Sequence, residues 1–587
     1  MAATQTGSRG RTLDAAALVV LGIVAFVVRA WPISEVSLWW DELVHAQTAS
    51  RGGFFDVLMA AKLGIPPGFG NAGAVPLDYL LLHAWLRIAP EPGPEGMELY
   101  YRTPALLWSV FCVLLTYLYG RRFFDRGLGL VAASLLALSI PHSLYAAEVR
   151  FYSLFAFMTV VNLHTFSVLV ERREKTSAWA VYTGVGVLYF LTGFLGLLAL
   201  LVQYAVLAAL LVVDAKRREE NRSTADLLRL AFPLLSGLVV LGAVALYLQG
   251  TFLGVKYGRS VEGLSTWERS STAFEFYSGE SAILLGAFAV GVVVLLLTQW
   301  RRGRGPFAIA CALTGSFLTI PVIVEIERWK EYYFHPRHSF FLMPLFAIVA
   351  AAGLLVTLRG LDPLRRIRIV ESTRGSIYLA VSLALVMALQ VAPLVQHFET
   401  PQRRFVRTKT LRDFKSLTHH LRDRIASLED DQVYLLLAER GRPGHIGNPM
   451  LAKYLEWYGL DDRVVLRGTD RANEARLAIA RECPSGCEGK PAAPLQRSLG
   501  AVGPFNTKRE MLDLVELEPA PPIGAPVGAV GLLHYWRMRG GPPRRAPEFE
   551  IRLQRGMSLF EKVPPSVPGA MGTSRESSLR TPDDEAP

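Results

Sequence analysis

Residues 178–213 read AWAVYTGVGVLYFLTGFLGLLALLVQYAVLAALLVV. Whether this uncharged run is one helix or two decides the fold. A membrane core of about 30 Å needs roughly 20 helical residues, so the run is long for one crossing and short for two. The flanks settle it. Arg172, Arg173 and Lys175 precede it, and Lys216, Arg217 and Arg218 follow it. Basic residues collect on the cytoplasmic side, so both ends belong there and the number of crossings is even. The run is a tight hairpin, turning near Thr192-Gly193.

The same logic extends outward. The chain has 587 residues, 51% of them hydrophobic, and a net charge of +11. Its mean hydropathy is +0.29 and its pI about 9.5. That is too apolar for one soluble globule and too long for one core. A basic balance often signals nucleic acid. Here the arginines and lysines fall in short clusters between long apolar runs, which is the pattern of an integral membrane protein with no nucleic-acid partner.

Candidate spans fall near 13–31, 101–119, 127–144, 151–170, 178–193, 194–213, 227–248, 282–300, 306–325, 339–358 and 376–396. The first ends FVVRAWPIS, which lacks a small-x-small cleavage site and reads as an uncleaved span. With the N-terminus inside, the clusters at Arg9/Arg11, Arg121/Arg122/Arg126, Arg172/Arg173, Arg217/Arg218, Arg301/Arg302/Arg304 and Arg365/Arg366/Arg368 all land inside. The expectation is an α-helical polytopic membrane protein of about eleven spans. Residues 1–12 form a cytoplasmic tail, 13–396 the membrane domain with an external loop at 32–100, 397–562 a small external α/β domain, and 563–587 a disordered tail. In the external domain DDQVYLLLA and DRVVLRG read as strands and NPMLAKYLEWYG as a helix. Cys483 and Cys487 lie close together there and are able to pair outside the cytoplasm, whereas Cys112 and Cys311 sit in apolar runs.

This topology collects the unusual polar residues on the outer face. The loop 32–100 carries Asp41, Glu42, His45, Lys62, Asp78 and His83; HSLYAAEVRFY (142–152), the loop 249–281 and ERWKEYYFHPRHSF (327–340) supply the rest. In SLWWDELVHA (37–46) the acids suit a helix start and the tryptophans an aromatic belt. The functional reading is a general base, Asp41 with Glu42 beside it, partly desolvated at the membrane edge. A zinc protease needs H-E-x-x-H; this stretch gives D-E-x-x-H, and no histidine in the chain precedes a glutamate. A divalent metal on Asp41 and His45, at i and i+4, stays open as an alternative. EVRFY places Glu148, Arg150 and Tyr152 at a membrane edge. On a helix Glu148 and Tyr152 would share a face opposite Arg150. Arg150 either fastens a turn by pairing with Glu148 or meets an anionic phosphate, which its planar fork fits. HPRHSFF puts Arg337 and His338 just before a span, as snorkelling anchors or as part of the same site. There is no Walker A signature and no G-x-S-x-G, so ATP-driven transport and α/β-hydrolase chemistry lack support.

In order, SLWWDELVHA, GNAGAVPLDYLLLHAWLR, LYYRTPALLWSVFCVLL and AAEVRFYSL supply a W-x-D-E element, a Pro-Leu-x-Tyr stretch, an Arg-x-Pro opening a span, and E-x-R-x-Y. Together with RHSFFLMPLFAIVAAAGL they resemble the GT-C-type glycosyltransferases, in the branch of protein O-mannosyltransferases and lipid A aminoarabinose transferases. The resemblance covers roughly residues 10–215 and 335–355. Two departures stand out: Val75-Pro76 replaces a double proline, and His338 replaces an aromatic. They bear on sugar and acceptor choice more than on reaction class.

The resemblance implies a polyprenyl-phosphate sugar as donor and Asp41 at the reaction centre. The expected reaction is an inverting transfer to a hydroxyl of a protein, lipid or glycan on the external face that the charge topology assigns, and the absence of organelle signals fits a bacterial inner membrane. Arg150 and Arg337 are the candidate phosphate ligands; His45, Glu148, Tyr152 and His338 line the site. No nucleotide is needed at the site in this reading, and a divalent metal stays open. The competing reading is a transporter or export component for lipid-linked sugars; the near absence of ionisable residues at span centres weighs against it.

Overall fold

The computed structural model describes residues 8–30, 37–38, 40–63, 76–146, 148–217, 265–329, 335–360 and 371–399. It also describes positions 237 and 242, and between 415 and 538 five strands and a few short stretches. The chain divides into two compact units, Met1–Arg407 and Thr408–Pro587.

The first unit is helical. Its helices are α1 (Ser8–Ala30), α2 (Trp40–Ala49), α3 (Phe54–Leu63), α4 (Pro76–Ile88), α5 (Met97–Phe123), α6 (Arg126–Leu138), α7 (Ile140–Ala146) and α8 (Tyr152–Glu171). They continue as α9 (Thr176–Thr192), α10 (Gly196–Arg217), α11 (Thr266–Ser278), α12 (Ala282–Arg302), α13 (Arg304–Gly315), α14 (Thr319–Trp329), α15 (Met343–Gly360) and α16 (Glu371–Glu399). A 3₁₀ turn, Pro336–Leu342, leads into α15.

Among the described residues eight helical segments are long and apolar enough to cross a membrane, or nine if the bent pair α6–α7 counts as one span. The chain is an integral membrane protein. The difference from eleven has two sources. The run 227–248 lies almost wholly outside the described residues, and α9 has only 17 residues. The hairpin break falls at Thr192, where the Gly193 N–H closes α9 onto Tyr189 and Phe190 carbonyls. Glycine is needed there because a β-carbon on residue 193 would come within 2.7 Å of the Phe155 ring.

Burial grades along the bundle. Val19, Val20, Ile23 and Val27 leave an apolar face of α1 exposed, as a lipid-facing helix requires, whereas α15 is buried almost all round. Small residues let helices touch where oil-like surroundings offer no drive to associate. A methyl group built on Gly353 of α15 would run into the Ala287 carbonyl of α12, and one on Gly291 into the Val349 carbonyl.

The end of the bundle holding the start of α1 is pinned by one carboxylate. Asp14 accepts from Tyr117 Oη at 2.6 Å and pairs with Arg121 at 2.7 Å and Arg126 at 3.1 Å. Asp125 caps α6 by accepting from the Leu128 N–H. Cys112 and Cys311 are free thiols.

In the second unit β1 (Tyr434–Glu439), β2 (Val464–Thr469), β3 (Leu499–Pro504), β4 (Leu512–Leu517) and β5 (Leu533–Met538) form one mixed sheet, in the order β2-β1-β5-β4-β3. β1 runs parallel to both β2 and β5; β3–β4 and β4–β5 are antiparallel. β1 and β2 start within DDQVYLLLA and DRVVLRG and each runs one residue past its end, and residues 453–457 are helical. Cys483, Cys487 and the tail 563–587 lie outside the described residues.

Candidate active site at one end of the helical bundle

The opposite end of the bundle, where α1 finishes and α5 and α8 begin, gathers the sequence-distant polar segments. α2 carries Asp41 and Glu42 in its first turn, where acids complement the helix dipole. Asp41 Oδ2 lies 3.1 Å from Arg150 Nη1. Arg150 stacks over Tyr152 and Phe151, with its guanidinium carbon 5.6 and 5.9 Å from their ring centres. Asp41 is 30% exposed and Arg150 12%, so this pair opens to the surroundings on the acid side. Arg150 Nε is buried without a hydrogen-bond partner.

Glu42 points the other way. Arg102 of α5 grips it with two hydrogen bonds, Nε to Oε1 at 2.9 Å and Nη2 to Oε2 at 2.7 Å, and the Val149 N–H donates to Oε1 at 2.8 Å. Both side chains are at most 3% exposed. Glu42, expected beside Asp41 at the reaction centre, is thus turned toward Arg102 and the Val149 N–H. Both its oxygens are engaged, and the carboxylate braces α2 against α5 and the 148–150 turn. Arg102 carries no role in the sequence reading, although it is the arginine of the Arg-x-Pro element.

The E-x-R-x-Y segment is not helical over its acid and arginine. Residues 148–150 form a bend, closed by the Arg150 N–H on the Glu148 carbonyl at 2.7 Å, and α8 starts only at Tyr152. The shared helical face for Glu148 and Tyr152 is thus overturned, because the Val149 N–H serves Glu42 instead of a helix carbonyl. The Arg150–Glu148 pair that would fasten a turn is replaced by Arg150–Asp41. Glu148 Oε2 is buried and makes no hydrogen bond. Burial, then the negative charge of Glu42, pushes the Glu148 carboxyl up to about 8, with Arg337 and Arg150 pulling it down. Arg150 is itself held protonated by its anionic neighbours despite burial.

His45 Nε2 lies 2.8 Å from Asp78 Oδ2, and its ring stacks on Tyr79 at 3.8 Å. Burial pulls its pKa down, with Asp78 opposing. Asp41 and His45, the i, i+4 pair considered for a metal, thus turn to different partners. Among the described residues no group of three or more His, Cys, Asp or Glu is arranged to hold a metal ion. Asp78 and Tyr79 belong to the Pro-Leu-x-Tyr stretch, whose regularity is the signal that marks them.

Arg337 is buried in the turn before α15, close enough to act on both Glu148 and Arg150. The turn is held from two sides: His335 Nδ1 accepts the Arg337 N–H at 3.2 Å, and Tyr277 Oη donates to the Ser339 carbonyl at 2.6 Å. His338 Nδ1 meets Glu327 Oε1 at 2.5 Å. The bundle end therefore brings Asp41, Glu148, Arg150, Tyr152 and Arg337 into one electrostatic neighbourhood, with Glu42 and His45 behind it. Trp39, Lys330, Tyr332 and Tyr333 lie outside the described residues.

No protein-family model and no curated protein sequence matches the chain. Among solved structures it is similar to ArnT from Cupriavidus metallidurans in the apo state, with 14% identity, a TM-score of 0.45, and coverage of 81% of this chain and 89% of that one. It is similar to the same protein bound to undecaprenyl phosphate at a TM-score of 0.42, again with 14% identity, over 81% of this chain and 88% of that one. It is also similar to the archaeal oligosaccharyltransferase AglB from Archaeoglobus fulgidus in complex with an inhibitory peptide and a dolichol-phosphate, with 13% identity, a TM-score of 0.41, and coverage of 73% of this chain and 62% of that one.

Proposed function

We propose that the protein is an inverting glycosyltransferase that moves a sugar from a polyprenyl-phosphate donor to an acceptor hydroxyl on the external face of the membrane. The observation that carries this reading is the Arg150–Asp41 pair at 3.1 Å, open on its acid side and backed by a second arginine, Arg337. One guanidinium then touches both the base and the leaving group. Arg150 Nη1 holds Asp41, and the same guanidinium lends its positive charge to a phosphate placed beside that acid.

In the step proposed, the acceptor oxygen attacks the anomeric carbon as Asp41 takes the hydroxyl proton. The bond from that carbon to the phosphate oxygen breaks, and its electron pair leaves on polyprenyl phosphate. Arg150 and Arg337 neutralise the phosphate before and after transfer. The products are the glycoside, polyprenyl phosphate and a protonated Asp41. Glu42 stays outside the reacting groups. The acceptor is a protein, lipid or glycan hydroxyl, and the lipid tail lies among the spans. Residues 397–562 stand on the external side in this reading.

The test is transfer rate against donor concentration, corrected for folded protein. Asp41→Asn keeps the shape and an acceptor oxygen but takes no proton, so turnover should fall by about 10²–10⁴-fold. Arg150→Ala should weaken donor binding as well as turnover, because the phosphate is anionic throughout. Arg150→Lys keeps the charge but loses the fork and should fall between. An Asp41→Asn enzyme with full turnover at saturating donor would make Asp41 a binding residue and defeat the proposal.

A further inference from the structure

A fully buried arginine stands in the first span, outside the site just described. Arg29 has five N–H donors and all five are used. Nε donates to Ser109 Oγ at 2.6 Å, Nη1 to the carbonyls of Ala25 at 3.0 Å and Ala137 at 2.9 Å, and Nη2 to the Leu136 carbonyl at 3.0 Å and His142 Nδ1 at 2.6 Å. The acceptors lie on α1, α5, α6 and α7. No carboxylate is among them. What balances the cation is the C-terminal end of α6, whose last carbonyls carry the negative pole of the helix dipole.

The Leu136 carbonyl takes a long 3.4 Å bond from the Ser139 N–H, and the Ala137 carbonyl would meet position 141 if the helix continued. α6 stops at Leu138, Ser139 is extended with ψ 122°, and α7 leaves at an angle of 62°. Pro141 has no N–H to offer and fixes the break. Arg29 supplies the donors that the interrupted helix lacks.

Both cationic elements of the site hang from this break. Along the chain, α7 runs directly into the bend that puts the Val149 N–H on Glu42 and Arg150 on Asp41. Across space, the His142 ring stacks on Phe340 with centroids 5.5 Å apart and planes at 22°. Phe340 belongs to the turn that carries Arg337. A guanidinium has no lone pair to accept with, so His142 Nδ1 must accept and the ring proton sits on Nε2; this bond fixes the ring that Phe340 packs against. We infer that Arg29 is a positioning residue: through the α6–α7 break and His142 it sets where Arg150 and Arg337 stand relative to each other.

As a role for catalysis this rests on the proposed glycosyl transfer; as a statement about placement it does not. The experiment separates the two by reading amide hydrogen exchange of the full-length protein in lipid nanodiscs, alongside donor kinetics. Arg29→Met should speed exchange at least about tenfold in both 139–150 and 335–343 while leaving 282–302 unchanged. Arg29→Lys, with three donors for five acceptors, should fall between. His142→Phe provides a second variant should Arg29→Met fail to fold: it keeps a ring but loses the Nδ1 acceptor that fixes it against Phe340, so both 139–150 and 335–343 should loosen. In kinetics, Arg29→Lys should raise the donor concentration needed more than it lowers turnover, because both phosphate ligands shift. Unchanged exchange in both segments, or a uniform increase through the bundle, overturns the inference. Local loosening as expected in a protein that shows no wild-type transfer leaves the positioning intact and counts against the proposed function instead.

Discussion

Glu42→Gln is the most informative substitution at the candidate site. It asks whether the second acid of the Asp-Glu pair reacts or braces. The change removes one charge and almost no volume. In the wild type Glu42 accepts two hydrogen bonds from Arg102 and one from Val149, all at 2.9 Å or less, in a place where neither charged side chain is more than 3% exposed. A glutamine retains one acceptor oxygen and turns an NH₂ toward a guanidinium that cannot accept. Arg102 is then a buried cation that keeps the Ser37 carbonyl at 3.2 Å but loses its bidentate carboxylate. Breaking a buried pair from one side costs about 3–5 kcal/mol. At about 1.4 kcal/mol per tenfold, that lowers the folded-to-unfolded ratio by roughly two to four orders of magnitude. The assay is SDS-titrated unfolding of the detergent-solubilised protein, followed by far-ultraviolet circular dichroism. The double variant Glu42→Gln/Arg102→Met removes both charges and should recover much of the loss, giving a large coupling in the double-mutant cycle. Transfer per folded molecule should fall less than in Asp41→Asn. Unchanged stability together with abolished transfer would refute the reasoning and make Glu42 a reacting group.

Other predictions follow from the same geometry. Glu148 is neutral in the folded chain up to about pH 8, whereas the unfolded chain ionises near 4.5. Its contribution to stability is therefore complete below about 4.5, declines as pH rises, and is gone above about 8. Glu148→Gln should flatten that decline in pH-dependent unfolding, and its advantage over wild type should grow up to about pH 8. A variant with the wild-type slope would remove burial as the cause. Gly353→Val should push α12 and α15 apart and cost at least about 1–3 kcal/mol, read as loss of monodisperse folded protein. Asp14→Asn strips the shared partner of Arg121 and Arg126 and should lower the unfolding midpoint while leaving transfer per folded molecule unchanged, since it lies at the other end of the bundle.

Much of this was legible in the chain because a bilayer enforces simple rules. Uncharged runs and flanking arginines locate the helices, and the basic flanks of 178–213 call for a break within it, which falls at Thr192. Asp41, Arg150 and Arg337 announced themselves as costly side chains at helix ends. What pairs with what did not. Glu42 finds Arg102 sixty positions away and Val149 beyond that, and no local periodicity encodes such choices. EVRFY looked helical because its spacing permits a helix; a tertiary hydrogen bond to Val149 took the backbone donor that a helix would have used. The run 127–144 read as one span, although Pro141 was a visible sign of the break between α6 and α7. Arg29 carries no role in the sequence reading, and only the fold reveals five acceptors around it.

The central claim is that Asp41 is the base of a sugar transfer from a polyprenyl-phosphate donor. The direct measurement uses protein reconstituted in liposomes with a radiolabelled polyprenyl-phosphate hexose, a membrane extract as the source of acceptors, and nuclear magnetic resonance of the glycoside formed. The account predicts that wild-type protein releases polyprenyl phosphate and yields a glycoside of inverted anomeric configuration, and that Asp41→Asn, equally folded and binding donor equally well, does so at least about 10²-fold more slowly. Retained anomeric configuration, or an Asp41→Asn protein that transfers at the wild-type rate, would contradict it.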